Sequence, residues 1–424
     1  MYSSVRDRPA APATEAVSPT EPVAPGLGRN VGLLGATSLL TDVSSESVNA
    51  VLPLYLTNAL GYSALGFGIF DGIYQGMSVI LRIFGGLAAD RRGRHKEVAG
   101  FGYGLSAACK LGLLATTARV PTAGVLFLDR TGKGVRTAPR DALISLSSEP
   151  QKMGLAFGIH RALDTVGAFI GPILAFLLLW FTPKAYDSVF VVSFCFAVLG
   201  LGVLACFVRN PPRERLRPAR APAFTRESTR RLLGNRAFRR LTVAGALLGL
   251  VTISDAFIYL VYQRRTHMSA TPFPLLFVGT SLAYLLLAVP LGRLADRIGR
   301  APVFLAGNAL LIVCYVVLRM SGPGVVPIAV ILGSLGTYYA ATDGILMALA
   351  SEAIPPDLRS SGLAWLTTAT TAAKALASGL FGLCWLWWGP NGAVSWFLAG
   401  MALAVPVAVL ILFHPSTGRE VPAR

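Results

Sequence analysis

Apolar residues in this chain run in long blocks separated by brief polar turns. A helix rising 1.5 Å per residue needs about 20 apolar residues to cross a hydrocarbon layer. Blocks of that length lie near residues 32–56, 65–89, 98–117, 122–145, 153–181 and 187–208. After a polar stretch, six more follow near 241–263, 272–292, 301–319, 323–350, 361–388 and 391–414. The pattern predicts an all-α membrane protein with twelve transmembrane helices.

Composition agrees with that reading. Hydrophobic residues make up 54% of the 424 positions and charged residues 14%, and the mean hydropathy is +0.60. A soluble fold has too little interior for so many apolar side chains. An ordinary cytosolic enzyme, a disordered chain and a disulfide-stapled secreted domain are excluded. The five cysteines, Cys109, Cys195, Cys206, Cys314 and Cys384, fall inside apolar blocks without a CxxC pair and read as small hydrophobes. No metal spacing, catalytic triad or dinucleotide fingerprint occurs, so neither an enzyme nor a cofactor is expected.

The formal net charge is +17. In a soluble chain that would suggest nucleic acid; here the excess gathers in the polar turns and records topology instead. Arg91, Arg92, Arg94 and Lys96 follow span 2, Arg297 and Arg300 follow span 8, and segment 209–240 is rich in arginine. The positive-inside rule places both termini and this segment in the cytoplasm, with Arg264 and Arg265 after span 7 as exceptions. The expected organisation is a disordered cytoplasmic tail at 1–30 without an apolar signal-peptide core, a six-helix bundle at 31–208, and a basic linker at 209–240. A second bundle at 241–414 and a cytoplasmic tail at 415–424 complete it. The linker is suited to anionic lipid.

The two halves repeat one another. Gly86-Leu-Ala-Ala-Asp90-Arg91-Arg-Gly93-Arg94 matches Gly292-Arg-Leu-Ala-Asp296-Arg297-Ile-Gly299-Arg300, with 206 positions between Asp90 and Asp296. Gly154-Leu-Ala-Phe157 matches Gly362-Leu-Ala-Trp365 at an offset of 208. Six spans repeated in the same order predict two bundles related by a pseudo-two-fold axis along the membrane normal. Arg94 is placed to pair with Asp90 and with Asp141 at the end of span 4; Asp296, Arg300 and Glu352 form the equivalent set.

On these motifs the chain resembles the major facilitator superfamily of secondary transporters over residues 30–414. The doubled G-x-x-x-D-R-x-G-R signature is the strongest element. The resemblance implies that the two charged clusters act as a cytoplasmic gate that breaks when the inner side opens; a static helix-capping network is the alternative. The segment Gly132-Lys133-Gly134-Val-Arg136-Thr-Ala-Pro-Arg140-Asp141 resembles a prokaryotic branch of the superfamily. Gly167-Ala-Phe-Ile-Gly171-Pro172 is similar to an element of exporters that exchange solute for protons, with Ala175 and Phe176 replacing its final glycines.

Ionisable residues inside a span cost about 2.5–3.5 kcal/mol each on insertion scales, so each one needs a cause. The acids are Asp42, Glu46, Asp71, Asp129, Asp141, Asp164, Asp255 and Asp343; the bases are Arg82, Lys110, Arg130, Lys133, Arg136, Arg140, Arg161 and Lys374. Mutual pairing is the default. Asp42 and Glu46 share a face of span 1, Arg130, Lys133 and Arg140 share one of span 4, and His160, Arg161 and Asp164 cluster on span 5. In the superfamily, spans 1, 4, 7 and 10 line the central cavity, which here implicates Asp42, Glu46, the span-4 cations, Asp255 and Asp343. Asp42 and Glu46 are the candidate proton carriers, with Arg130 as partner. Burial favours a protonated carboxyl and a nearby guanidinium favours the carboxylate, so movement between the two environments loads and releases a proton. Permanent salt bridges bracing spans 1, 4 and 5 are the competing reading.

The expected function is a monomeric, proton-coupled exporter of a small organic molecule in the cytoplasmic membrane. An importer of a small anionic metabolite, favoured by the span-4 cations, is the alternative. A non-transporting receptor or scaffold is a remote third.

Overall fold

The computed structural model describes residues 27–92, 94–149, 152–210, 226–320, 322–355 and 358–413, with side chains described except at 27–28, 78–80, 82–92, 226–229 and 360. All regular secondary structure among these residues is helical. The first part of the chain forms α1 (Leu27–Leu54), continued by a π-helical turn Tyr55–Ala59, then α2 (Ala64–Arg92), α3 (His95–Ala115), α4 (Arg119–Leu146), α5 (Met153–Phe181) and α6 (Tyr186–Phe207). A short α7 (Arg226–Gly234) precedes α8 (Arg236–Leu250), α9 (Asp255–Thr266), α10 (Pro274–Ile298), α11 (Arg300–Met320), α12 (Val325–Ala353) and α13 (Arg359–Phe413).

Among the described residues, eight helical segments are long and apolar enough to cross a membrane. α4 is not one of them, because Asp129, Arg130, Lys133, Arg136, Arg140 and Asp141 interrupt its apolar face. α13 is two arms in one run: Gly389 stands at φ 69°, ψ 177°, which no helix interior accepts, and Pro390 follows. Only glycine takes that φ without strain, so the helix breaks there.

The apolar block at 241–263 is not one continuous helix. It breaks at 251–254, between α8 and α9. The amide of Ile253 is satisfied by the Tyr315 hydroxyl at 2.8 Å instead of by a helical carbonyl. Ser254 holds an extended conformation ahead of Asp255, the first residue of α9. A break inside a membrane protein is tolerated where its backbone groups find such partners or face a cavity.

Packing is set by small residues. α1 lies between α5 and α6, α3 packs on α4 and α6, and α2 on α4. In the second part of the chain α12 lies against α10 and α11, and α13 against α8 and α11. α2 runs along α13, and α5 touches α10. A Cβ on Gly72 of α2 would stand 2.4 Å from the Ala375 carbonyl oxygen of α13, so only glycine permits that approach.

Candidate functional site

A cavity of about 560 Å³ lies where α1, α2 and α4 face the 251–254 break, α9, α10, α12 and α13. Its walls carry Glu46, Asp71, Arg130, Asp255 and Lys374 beside Phe67, Phe70, Tyr74, Phe277 and Tyr339. Phe67 on its wall begins a cluster of rings with Phe257, Phe381 and Trp385 that runs along α13 towards Gly389, with ring centroids 4.7 to 6.0 Å apart among contacting pairs. Towards the other end, Tyr339 also lines a second cavity of about 300 Å³ that reaches Asp296 and Arg300.

The charges of α4 pair outward to α1, α3 and α5. Lys133 Nζ meets Glu46 Oε1 at 2.9 Å, and Arg136 reaches Asp42 at 3.7 Å. The i, i+4 spacing of Asp42 and Glu46 and the i, i+3 spacing of Lys133 and Arg136 bring these two pairs into adjacent turns. Arg140 meets Asp141 at 2.9 Å and Asp164 at 3.7 Å. Lys110 on α3 contacts Asp129 at 2.6 Å, a pair buried at 1% and 10% exposure, and Ser106 donates to the same carboxylate oxygen.

Arg130 is held differently. Its guanidinium lies 3.8 Å from the Tyr74 ring centroid and donates to Asn49 Oδ1 at 3.1 Å. The Tyr74 hydroxyl donates to the same Asn49 oxygen at 2.9 Å, and Asn49 Nδ2 donates to Glu46 at 2.9 Å. Arg130 is therefore coupled to Glu46 through an amide, without contacting it. On the other wall the Asp255 carboxylate accepts from Tyr339 at 2.6 Å, and Asp71 accepts from Ser378 at 2.8 Å. Lys374 lies over the Tyr338 ring, 5.6 Å from its centroid.

Of the expected cavity residues, Glu46, Arg130, Asp255 and Lys374 line the space. Asp42, Lys133, Arg136 and Asp164 lie in the salt-bridged layer behind it. Arg161 does not line the cavity: its side chain is 82% exposed and lies 4.0 Å from Asp164. Asp343 is also exposed rather than cavity-lining, although it acts electrostatically on Lys374.

In the gate motif, Arg300 contacts both Asp296, at 3.1 Å, and Glu352. Gly299, at φ 100°, makes the turn between α10 and α11, with Gly292 and Arg297 in the last turns of α10. Asp141 takes the neighbouring Arg140, and Arg94 stands exposed at the start of α3. Gly86, Asp90 and Arg91 belong to the end of α2, where side chains are not described, and Gly93 lies outside the described residues. The exporter-like element forms the α1–α5 seam. A Cβ on Gly167 would stand 2.5 Å from Leu39 O, and one on Gly171 would stand 2.9 Å from Ser47 N and 3.0 Å from Glu46 Cβ. Pro172 follows inside α5.

Asp71, named among the intramembrane acids but not assigned to the cavity, lines it, as do Tyr74, Asn49, Tyr339 and Ser378, which no motif or charge marked in the sequence. A signal existed for two of them: Asp71 and Tyr74 sit three apart on one face of α2.

These features define a multi-pass helical membrane protein with a polar cavity enclosed between its helices, the architecture of a transporter. A sequence model of the Major Facilitator Superfamily matches residues 34–270 and 253–424, and the chain belongs to that family. It is 29% identical over 406 residues to an uncharacterized MFS-type transporter of Methanocaldococcus jannaschii, covering 91% of this chain and 95% of that one. A shorter match, 27% over 231 residues, covers 51% of this chain and 53% of multidrug resistance protein MdtH of Salmonella typhi. Among solved structures, nucleoside transporter NupG superposes with a TM-score of 0.78 at 11% identity, covering 90% of this chain and 99% of that one. A peptide transporter POT in complex with sulfate superposes at 0.74 and 16% identity, covering 91% of this chain and 94% of that one.

Proposed function

We propose that this chain is a secondary active transporter that moves a small organic solute out of the cell in exchange for protons, by alternating access. The observation that carries the proposal is the central cavity, whose wall residues come from both parts of the chain and include carboxylates held by exchangeable partners. In this reading twelve spans form two six-helix bundles, residues 31–208 and 241–414, related by a pseudo-two-fold axis along the membrane normal. The basic segment 209–240 links them on the cytoplasmic face against anionic lipid, both tails are cytoplasmic, and the protein works as a monomer in the inner membrane.

Rocking of the bundles about the cavity opens the two ends in turn. The aromatic cluster towards Gly389 is one gate. The Asp296–Arg300–Glu352 cluster belongs to the other, and its counterpart comprises Gly86, Asp90, Arg91, Gly93, Arg94 and Asp141. Glu46 and Asp42 carry the proton, each exchanging a span-4 cation for a proton as α1 moves against α4. Export is supported by the likeness to MdtH over half of the chain and by the Gly167–Gly171–Pro172 seam, which seats α5 directly against Glu46.

The test is flux in proteoliposomes containing the purified protein and candidate solutes, with and without an imposed proton gradient. Solute movement that accelerates with the gradient, and proton movement that requires solute, support the reading. Flux indifferent to the gradient, with no solute-dependent proton movement, would sink the coupling.

A further inference from the structure

We propose that the transported solute is an organic anion, and that Arg130 and Lys374 on opposite walls of the central cavity receive its negatively charged group. The inference rests on the reading of this cavity as the solute site. It comes from an asymmetry among the intramembrane charges. Lys110, Lys133, Arg136, Arg140 and Arg161 each have a carboxylate within 4.0 Å. Arg130 and Lys374 have none at that distance among the described residues, and both line the same cavity.

Neither cation is saturated by its present neighbours. Arg130 spends one donor on Asn49 and offers its face to Tyr74, while its Nε is buried with no hydrogen-bond partner among the described residues. A guanidinium has five N–H donors in a planar fork suited to a carboxylate, so Arg130, which lines the cavity and spends one donor on Asn49, keeps donors for an acceptor there. Lys374 comes from α13; its stem lies along Gly249, and a Cβ there would stand 3.6 Å from Lys374 Cγ. Its ammonium lies over the Tyr338 ring, 5.6 Å from the centroid.

The two cavity carboxylates on the α2 and α9 walls already accept hydroxyl hydrogen bonds, Asp71 from Ser378 and Asp255 from Tyr339. Glu46 is occupied by Lys133 and Asn49. Asp71 and Asp255 likewise have no cation within 4.0 Å among the described residues, but each already accepts a hydrogen bond; the donors left over belong to Arg130 and Lys374, and an anionic headgroup between them would take up those donors. Phe67, Phe70 and Phe277 supply the apolar wall for the rest of the solute. Because one cation comes from α4 and the other from α13, a bound anion also ties the two parts of the chain together.

The experiment is calorimetric titration of the full-length protein in nanodiscs with a matched pair of probes, 3-phenylpropionate and 3-phenylpropylamine. They share an aromatic body and differ in the sign of the headgroup. The carboxylate binds and the amine does not. K374Q and R130Q each weaken carboxylate binding about tenfold or more, the loss expected for one charge-assisted contact, whereas K374R retains most of it. Tighter binding of the amine, binding of neither probe, or carboxylate affinity untouched in both glutamine variants would overturn the proposal. The probe comparison needs no variant, so it decides the matter even where a substitution fails to fold. Flux of the probes in proteoliposomes separates the two readings. A bound carboxylate that never crosses contradicts transport and leaves this assignment standing, while flux of the amine alone does the reverse.

Discussion

The Tyr339 hydroxyl donates to Asp255 Oδ1 at 2.6 Å, joining α12 to the first residue of α9 at the edge of the central cavity. The same tyrosine lines the second cavity that leads to Asp296 and Arg300. It therefore stands between the solute space and the charged cluster at that end. A hydrogen bond to a charged acceptor is worth about 1.5–3 kcal/mol. Y339F is expected to lower unfolding free energy by no more than that and to slow solute flux several-fold. Denaturation and flux of the same preparation check it; flux equal to wild type would remove Tyr339 from the pathway.

Glu46 and Lys133 meet at 2.9 Å with 27% and 29% of their side chains exposed, so their pairing is partly solvated. Pairs in contact show interaction energies of about 0.5–3 kcal/mol in double-mutant cycles. E46Q and K133Q each lower stability, and E46Q/K133Q recovers part of the combined loss. Transport does not recover, because the proton-carrying carboxylate is gone, and the pH dependence of flux flattens in both variants that lack Glu46. A double variant that regains full pH-dependent flux would assign Glu46 to bracing alone.

Lys110 and Asp129 form the most deeply buried ion pair among the described residues, away from the cavity wall. Removing one partner of such a pair costs about 3–5 kcal/mol because the other charge is left uncompensated, while replacing both by apolar residues of similar volume is often neutral. D129N is expected to destabilise strongly, and K110M/D129L to restore most of the loss. Thermal unfolding in detergent reads the comparison.

The α2–α13 contact tolerates no side chain at Gly72, whose Cβ would meet the Ala375 oxygen at 2.4 Å. Gly76, one turn on, would place its Cβ 3.9 Å from Ala375 Cβ, an ordinary contact. Overpacking typically costs about 1–3 kcal/mol. G72A is expected to lower the melting temperature and G76A to leave it near wild type. Equal effects would mean that α2 and α13 are not held at this distance.

The apolar blocks made most of the helices legible in the sequence, because membrane helices must be long and apolar whatever they pack against. The repeated motif indicated the Asp296–Arg300–Glu352 cluster, and the four-residue spacing of Asp42 and Glu46 pointed to their shared face. The break at 251–254 escaped, since Val251-Thr-Ile-Ser254 holds no proline or glycine to mark it and the partner that stabilises it, Tyr315, lies over 60 positions away. Asn49 and Tyr74 escaped for a related reason: their importance lies in what they do to Arg130, and helix rotation, which no linear spacing reports, decides that contact. The i, i+3 spacing of Arg161 and Asp164 identifies a neighbour, found at 4.0 Å, without saying which way that face points.

The central claim, that the two bundles rock about the cavity, is tested most directly by distance measurement between spin labels at Ile73 on α2 and Leu376 on α13. Both are exposed, at 47% and 62%, and neither lines the central cavity, so labels there leave it intact. Cys195 and Cys206, the exposed native cysteines, are first replaced by serine. In nanodiscs, pulsed electron resonance is predicted to give two distance populations whose ratio shifts between acid and alkaline buffer and again on adding solute. A single narrow distance, unmoved by either, would contradict the account.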